Sequence, residues 1–239
     1  MKPLPTIGFD RYVPRHWLNT ALAVAAGDVE RSALVSLLEK EIAGVEARSK
    51  TMIILNRMWL FPHPTLVNFA AAGVDMYRVD KSVDTLVLHW GMALASHPFF
   101  AALADNIGRL LKLHGEFTAV QINRRLKEQL GDRASILRAS EAVLQTLAEW
   151  HVINEASGRK RIFVGGHPMA VASSSLSIWM LEACLRASGR ALNFNVSSNL
   201  VFPFKLPPLR EADFAHQSRL KLALTGAGLT VATTPGECA

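Results

Sequence analysis

The sequence predicts a mainly α-helical fold with a helical N-terminal part, a central unit of three helices and a hairpin, and a short α/β tail. Three observations predict it. From His16 to about Leu113, apolar residues recur at helical spacing with little period-two alternation. Phe99 to Gly166 reads as helix, helix, helix and hairpin joined by short connections. After Gly189 the chain turns irregular and proline-marked, then alternates apolar and polar residues around Gly226 and Gly228. The expected divisions are 1–97, 98–168 and 169–239, and a hydrophobic content of 50% over 239 residues suffices for a sizeable core.

The first predicted helix of note lies in DVERSALVSLLEKEIAGV, capped by Asp28, with Val29, Ala33, Leu37, Ile42 and Val45 toward the core. A second runs from Thr51 to Leu60 and stops at Pro62 and Pro64, and Thr65 caps a third. Asp84 to Ser96 and Pro98 to Leu113 supply two more, the latter with proline in its first turn and Gly115 at its end. Thr118 then caps AVQINRRLKEQL, whose Ile122, Leu126 and Leu130 form an apolar ridge up to Gly131. The next helix, about Ser135 to Trp150, buries Ile136, Ala139, Val143, Leu147 and Trp150 and presents Arg138, Glu141 and Gln145 outward. Two short strands follow around a turn at Ser157-Gly158, in HVINEASGRKRIFVGG. In SLSIWMLEACLRAS, Leu176, Trp179, Met180, Ala183 and Cys184 are expected to face a core, and VFPFKL (201–206) is expected to be an edge strand or extended loop in an exposed apolar tail. RLKLALTGAGLTVATT is expected to form a terminal hairpin.

Charge narrows the partners. Lys and Arg total 26 against 20 Asp and Glu, a formal net charge of +6 that favours polyanions. Cys184 and Cys238 are far apart and form neither a zinc spacing nor a disulfide framework, so a reducing, cytoplasmic setting is expected. Prolines and charges interrupt the N-terminal MKPLPTIGFDRYVPRHW, which argues against a signal peptide, and histidines, serines and a glutamate interrupt the most apolar stretches, which argues against a membrane span.

Enzyme chemistry finds no support. The eight histidines include no His-Glu-x-x-His spacing, and His63, His89 and His97 lack cysteine or carboxylate at ligand spacing, so no metal site is expected. Gly165-Gly166 is not followed by the Lys-Ser or Lys-Thr of a phosphate-binding loop, so no nucleotide cofactor is expected. The serines of ASSSLS form no Gly-x-Ser-x-Gly elbow and are expected to cap the helix that follows. Asp75, Asp80 and Asp84 are scattered rather than clustered.

The capped helix, short turn, longer helix and basic hairpin of Phe99 to Gly166 resemble the winged helix-turn-helix family. Its connection GDRAS is slightly longer than the tightest helix-turn-helix turn. The resemblance implies a non-enzymatic protein that binds double-stranded DNA. Ser135, Arg138 and Gln145 would read base edges, and Arg133 would clamp a phosphate beside the groove. Thr118, Asn123, Arg124 and Lys127 would meet the backbone, and Arg159, Lys160 and Arg161 would lie on the adjacent minor groove or its phosphates. Over the whole chain, the helical half, the RSKTMIILNRMW helix and the central unit resemble BrxA, a DNA-binding component of bacteriophage-exclusion (BREX) defence systems. That resemblance implies protein partners in a defence complex, with transcriptional regulation as the competing role and homodimerisation expected in either. The other reading from the residues is an adaptor for proteins, anchored through the central unit and through Phe202 and Phe204 of the tail.

Overall fold

A computed structural model describes residues 7–171, 173–189, 191–193, 199–215, 219–225 and 228–233. The N-terminal half holds α1 (Arg15–Ala26), α2 (Arg31–Glu41), α3 (Val45–Leu55), α4 (Val67–Val79) and α5 (Thr85–Ser96), with a π turn at Asn56–Leu60 extending α3. The central unit is α6 (Pro98–His114), β1 (Glu116–Thr118), α7 (Ala119–Leu130), α8 (Ala134–Glu149), β2 (Ile153–Glu155) and β3 (Ile162–Gly165). After it come β4 (Met169–Ala170), α9 (Ser174–Ser188), β5 (Leu192–Asn193), β6 (Phe204–Lys205), β7 (Leu220–Thr225) and β8 (Gly228–Thr233). The fold is mainly α with small sheets, as the periodicity requires.

Local chemistry sets several boundaries where it was expected to. Asp84 accepts the Leu86 N–H at 3.0 Å and starts α5, and Ser173 accepts the Leu176 N–H at 3.2 Å and starts α9. Gly115 closes α6 with φ of 74°, a left-handed conformation that costs glycine nothing. Thr118 and Gln121 form a reciprocal capping box at the start of α7.

Elsewhere the packing overrides the expected pattern. In α2 the buried ridge is Leu34 and Leu38, while Val29 and Val45 are exposed, because α2 ends at Glu41 and Val45 opens α3. Asp28 does not cap α2; its carboxylate pairs with Lys81. Thr65 sits inside a short 3₁₀ turn whose cap is His63. The second helix therefore begins six residues before Thr51, at Val45.

The three expected segments share one core. A continuous cluster runs from Phe9 and Val13 through Trp90, Phe100, Ile122 and Leu147 to Trp179 and Phe204. α5 and α9 approach so closely that a Cβ on Gly91 would lie 2.2 Å from Cζ3 of Trp179, whose ring stacks on Phe69 at 4.4 Å. α9 is buried all round, since Ile178, Leu181 and Leu185 also cover Phe214, Leu220 and Val231 of the tail. Glu182, at its centre, is buried against Arg186 and Arg219, and Arg186 reaches the Thr65 carbonyl at 3.0 Å.

VFPFKL is not an exposed tail. Val201 and Phe204 are buried, Phe202 packs edge-on against Trp90, and Trp90 Nε1 donates to the Leu200 carbonyl at 2.7 Å. β6 pairs in parallel with β4, and β7 pairs antiparallel with β8 as the terminal hairpin. The turn at Gly226 and Cys238 lie outside the described residues. Among the described residues no single helix is long and apolar enough to cross a membrane. α5 and α6 have that composition together, but they meet at 115° and α5 is buried from Leu86 to Leu94.

Candidate nucleic-acid interface

The central unit is built on a three-stranded antiparallel sheet of order β1-β3-β2, with Phe117 facing Phe163 across the first pair and Ile153 facing Gly165 across the second. β1 went unrecognised in the sequence because three residues, Glu-Phe-Thr, carry too little alternation to register as a strand. It matters, because it anchors the hairpin to the end of α6 and the start of α7. Ring stacking of Phe117 on Phe163 at 5.4 Å fixes that anchor.

α7 and α8 pack through Ile122, Leu126, Ile136, Ala139 and Val143, all buried. The turn between them uses Gly131 at φ of 82°, so the chain reverses without strain. The C-terminal half of α8 is stitched to the N-terminal strap of the protein. The Val13 N–H donates to Thr146 Oγ1 at 3.0 Å, Trp150 Nε1 donates to the Val13 carbonyl at 3.1 Å, and the Arg15 N–H donates to Glu149 Oε2 at 3.0 Å. Glu149 therefore points away from the outer face of α8. Its N-terminal half stays open: Ser135, Arg138 and, further along, Gln145 are exposed, beside Leu137 at 44% exposure.

The proposed contact residues divide into four groups. Ser135, Arg138, Gln145 and Lys160 are exposed, and Arg138 and Lys160 have no ion-pair partner among the described residues. Arg124 lies 3.8 Å from Glu128, Lys127 lies 2.8 Å from Asp132, Arg159 lies 2.6 Å from Glu116 and Arg161 lies 3.3 Å from Glu141, all in exposed pairs that phosphate can displace. Arg133 is half-buried at the cap of α8.

Thr118 and Asn123 are spoken for by the fold. Thr118 is consumed by the capping box, and Asn123 Oδ1 accepts from the Ser140 hydroxyl, which ties α7 to α8. Both side chains are half-buried and already hydrogen-bonded within the fold. Arg125, absent from the expected set, is half-buried on α7 with no ion pair among the described residues. Glu128 stands within helical reach of both Arg124 and Arg125, and only the side-chain packing decides which one it takes.

The wing itself is a tight turn. Gly158 takes φ of 70°, the Arg159 N–H donates to the Ala156 carbonyl at 3.0 Å, and Arg161 is held at φ of 62° with its N–H donated to Glu155 Oε1 at 2.7 Å. Between the wing and α8 lies a groove of about 380 Å³, floored by Ala119, Leu144, Ala148 and Phe163 and spanned by the Arg161–Glu141 pair.

No group of three or more His, Cys, Asp or Glu among the described residues could hold a metal ion. A concavity of about 770 Å³ between the π turn and the start of α6 has neither carboxylate nor cysteine among its described lining residues. Comparison of the chain with family models, with characterised proteins and with solved structures returns no match.

Proposed function

We propose that the protein binds double-stranded DNA without catalysing a reaction, through a winged helix-turn-helix unit formed by α6 to β3. The observation that carries this reading is the exposed start of α8, with Ser135 and Arg138, and Gln145 further along, set beside a turn that presents Arg159, Lys160 and Arg161. An exposed helix end of this kind suits the major groove, and a basic turn next to it suits the adjacent phosphates. The formal charge of +6 supports capture of a polyanion. By its resemblance to BrxA, the chain acts inside a BREX-type phage-defence complex or as a transcriptional regulator, as a homodimer in either role. Deleting the gene and plating phage separates those roles, since only the defence role changes plating efficiency.

The test is a fluorescence-anisotropy titration of a random-sequence duplex over a salt series. Wild type should bind more weakly as salt rises, and replacing Arg159, Lys160 and Arg161 with alanine should lower the slope of log K against log salt by up to about three phosphates' worth. A salt-independent or absent interaction would sink the reading. The adaptor reading is then favoured by a different surface from the one first expected. A groove of about 420 Å³ between α1, the π turn and α4 is lined by Val24, Leu60, Val67 and Val74, with Phe61 at 60% exposure on its edge. Such a face suits an apolar protein segment.

A further inference from the structure

The cations of the wing do not all stand free, and the groups that hold them come from the two elements that flank it. Arg159 forms a fork with both oxygens of Glu116 on β1, Nη1 to Oε1 at 3.1 Å and Nη2 to Oε2 at 2.6 Å. Arg161 reaches Glu141 on α8 at 3.3 Å, while its own N–H is donated to Glu155 on β2 at 2.7 Å. Of the three consecutive cations, Lys160 alone has no partner among the described residues.

We propose that Glu116 and Glu141 are affinity-setting residues: they occupy the wing arginines in the free protein, and DNA must exchange phosphate for carboxylate to engage them. The proposal rests on the DNA reading above. Both pairs are substantially exposed, so they attenuate binding rather than block it. Arg–carboxylate forks nevertheless match the geometry that an arginine offers to phosphate, so Glu116 competes for the same donors.

Position adds a second consequence. Glu141 lies one turn from both Arg138 and Gln145 on α8, so once Arg161 leaves it for a phosphate, an unpaired negative charge is left at the entry to the groove. Contact with phosphates alone therefore bears the full cost of the exchange. A duplex whose base edges also engage Ser135, Arg138 and Gln145 offsets that cost. The two carboxylates thus lower the affinity for any duplex that takes the wing arginines, and only a duplex with added base contacts binds tightly in their presence.

The experiment is a double-mutant cycle on a random-sequence duplex, read by anisotropy over a salt series. Its corners are wild type, Glu116→Gln with Glu141→Gln, Arg159→Ala with Arg161→Ala, and all four together. Glutamine keeps the size of each side chain, and circular dichroism with a thermal melt verifies the fold of each variant. The carboxylate variant should bind about five- to tenfold more tightly than wild type, with a salt slope steeper by up to about two. In the background lacking both arginines that gain should fall to the smaller part owed to relief of the unpaired Glu141 charge. A gain as large there as with the arginines present is general charge relief and overturns the proposal. If wild type binds and the carboxylate variant binds no better, the proposal falls while the DNA reading stands. If no corner binds DNA, both fall. The single variants E116Q and E141Q, each expected to carry part of the gain, keep the test open should the double variant lose its fold.

Discussion

Two buried histidines show how single side chains make the helical half sensitive to acid. Trp59 Nε1 is a donor only and reaches His89 Nδ1 at 3.1 Å, so His89 carries its proton on Nε2 and donates it to Asn19 Oδ1 at 2.9 Å. A second proton on His89 would meet the indole N–H head-on. His97 is likewise buried, with Nδ1 at 2.8 Å from the Ser96 hydroxyl, which itself donates to the Met92 carbonyl. Burial first, and Arg15 second, lowers His89 from 6.5 to about 3; burial and then Arg57 lower His97 to about 3. Both imidazoles protonate more readily in the unfolded chain. Their contribution is thus complete above about pH 6.5 and is lost as pH falls toward 3, by at most about 1.4 kcal/mol per pH unit for each histidine. Urea midpoints measured from pH 7.5 to 4.5 should decline, and replacing His89 with glutamine should make the decline shallower. At this scale the sequence was partly legible. The pattern places His89 on a helix, whereas the partners that fix its protonation come from α1 and the π turn, 70 and 30 residues away.

At the scale of elements, the central unit was readable where a few adjacent residues determine the outcome. Gly115, Thr118 and the buried ridges of α7 and α8 follow from capping chemistry and helical spacing. Thr118 also separates a structural role from a contact role. Thr118→Ala should cost about 1 kcal/mol of stability through loss of the cap, seen as a lower urea midpoint, while leaving the salt slope of DNA binding unchanged. A lowered slope would return Thr118 to the interface. Elements whose boundaries rest on distant neighbours were less legible. In α2, the alternatives Val29–Ala33–Leu37 and Leu34–Leu38 are both helical stripes, and only contact with α1 selects the second. β1 is a strand because β3 lies beside it, and the Glu116–Arg159 pair that follows from that register links residues 43 apart.

Most of the buried apolar residues described share one core that crosses the divisions at 97 and 168, and a smaller cluster lies under the terminal hairpin. Phe9 contacts Phe100 and Trp150, Val13 holds both Thr146 and Trp150, and residues 199–204 cover α5 and α6. Excising residues 98–168 would leave Phe100 and Trp150 bare and strip the partners from the C-terminal half of α8. That fragment should therefore show low helicity and no cooperative melt by circular dichroism, whereas the full chain should melt cooperatively; a cooperatively folded fragment would contradict this. It also means that the angle of α8 is set from the N-terminal strap. The strap is part of whatever α8 does.

By itself the sequence determined the helical class, the order of the three helices and the hairpin of the central unit, and which residues of that unit are cationic. These depend on neighbours within about a turn or two, where spacing and capping act directly. Only the tertiary structure decided which cations stand free, which are held by Glu116 and Glu141, and that Phe202 and Phe204 are core rather than anchors. Ion pairing and burial depend on which distant segments meet. A linear pattern records the chemistry of each residue, while its partners come from the closure of the chain.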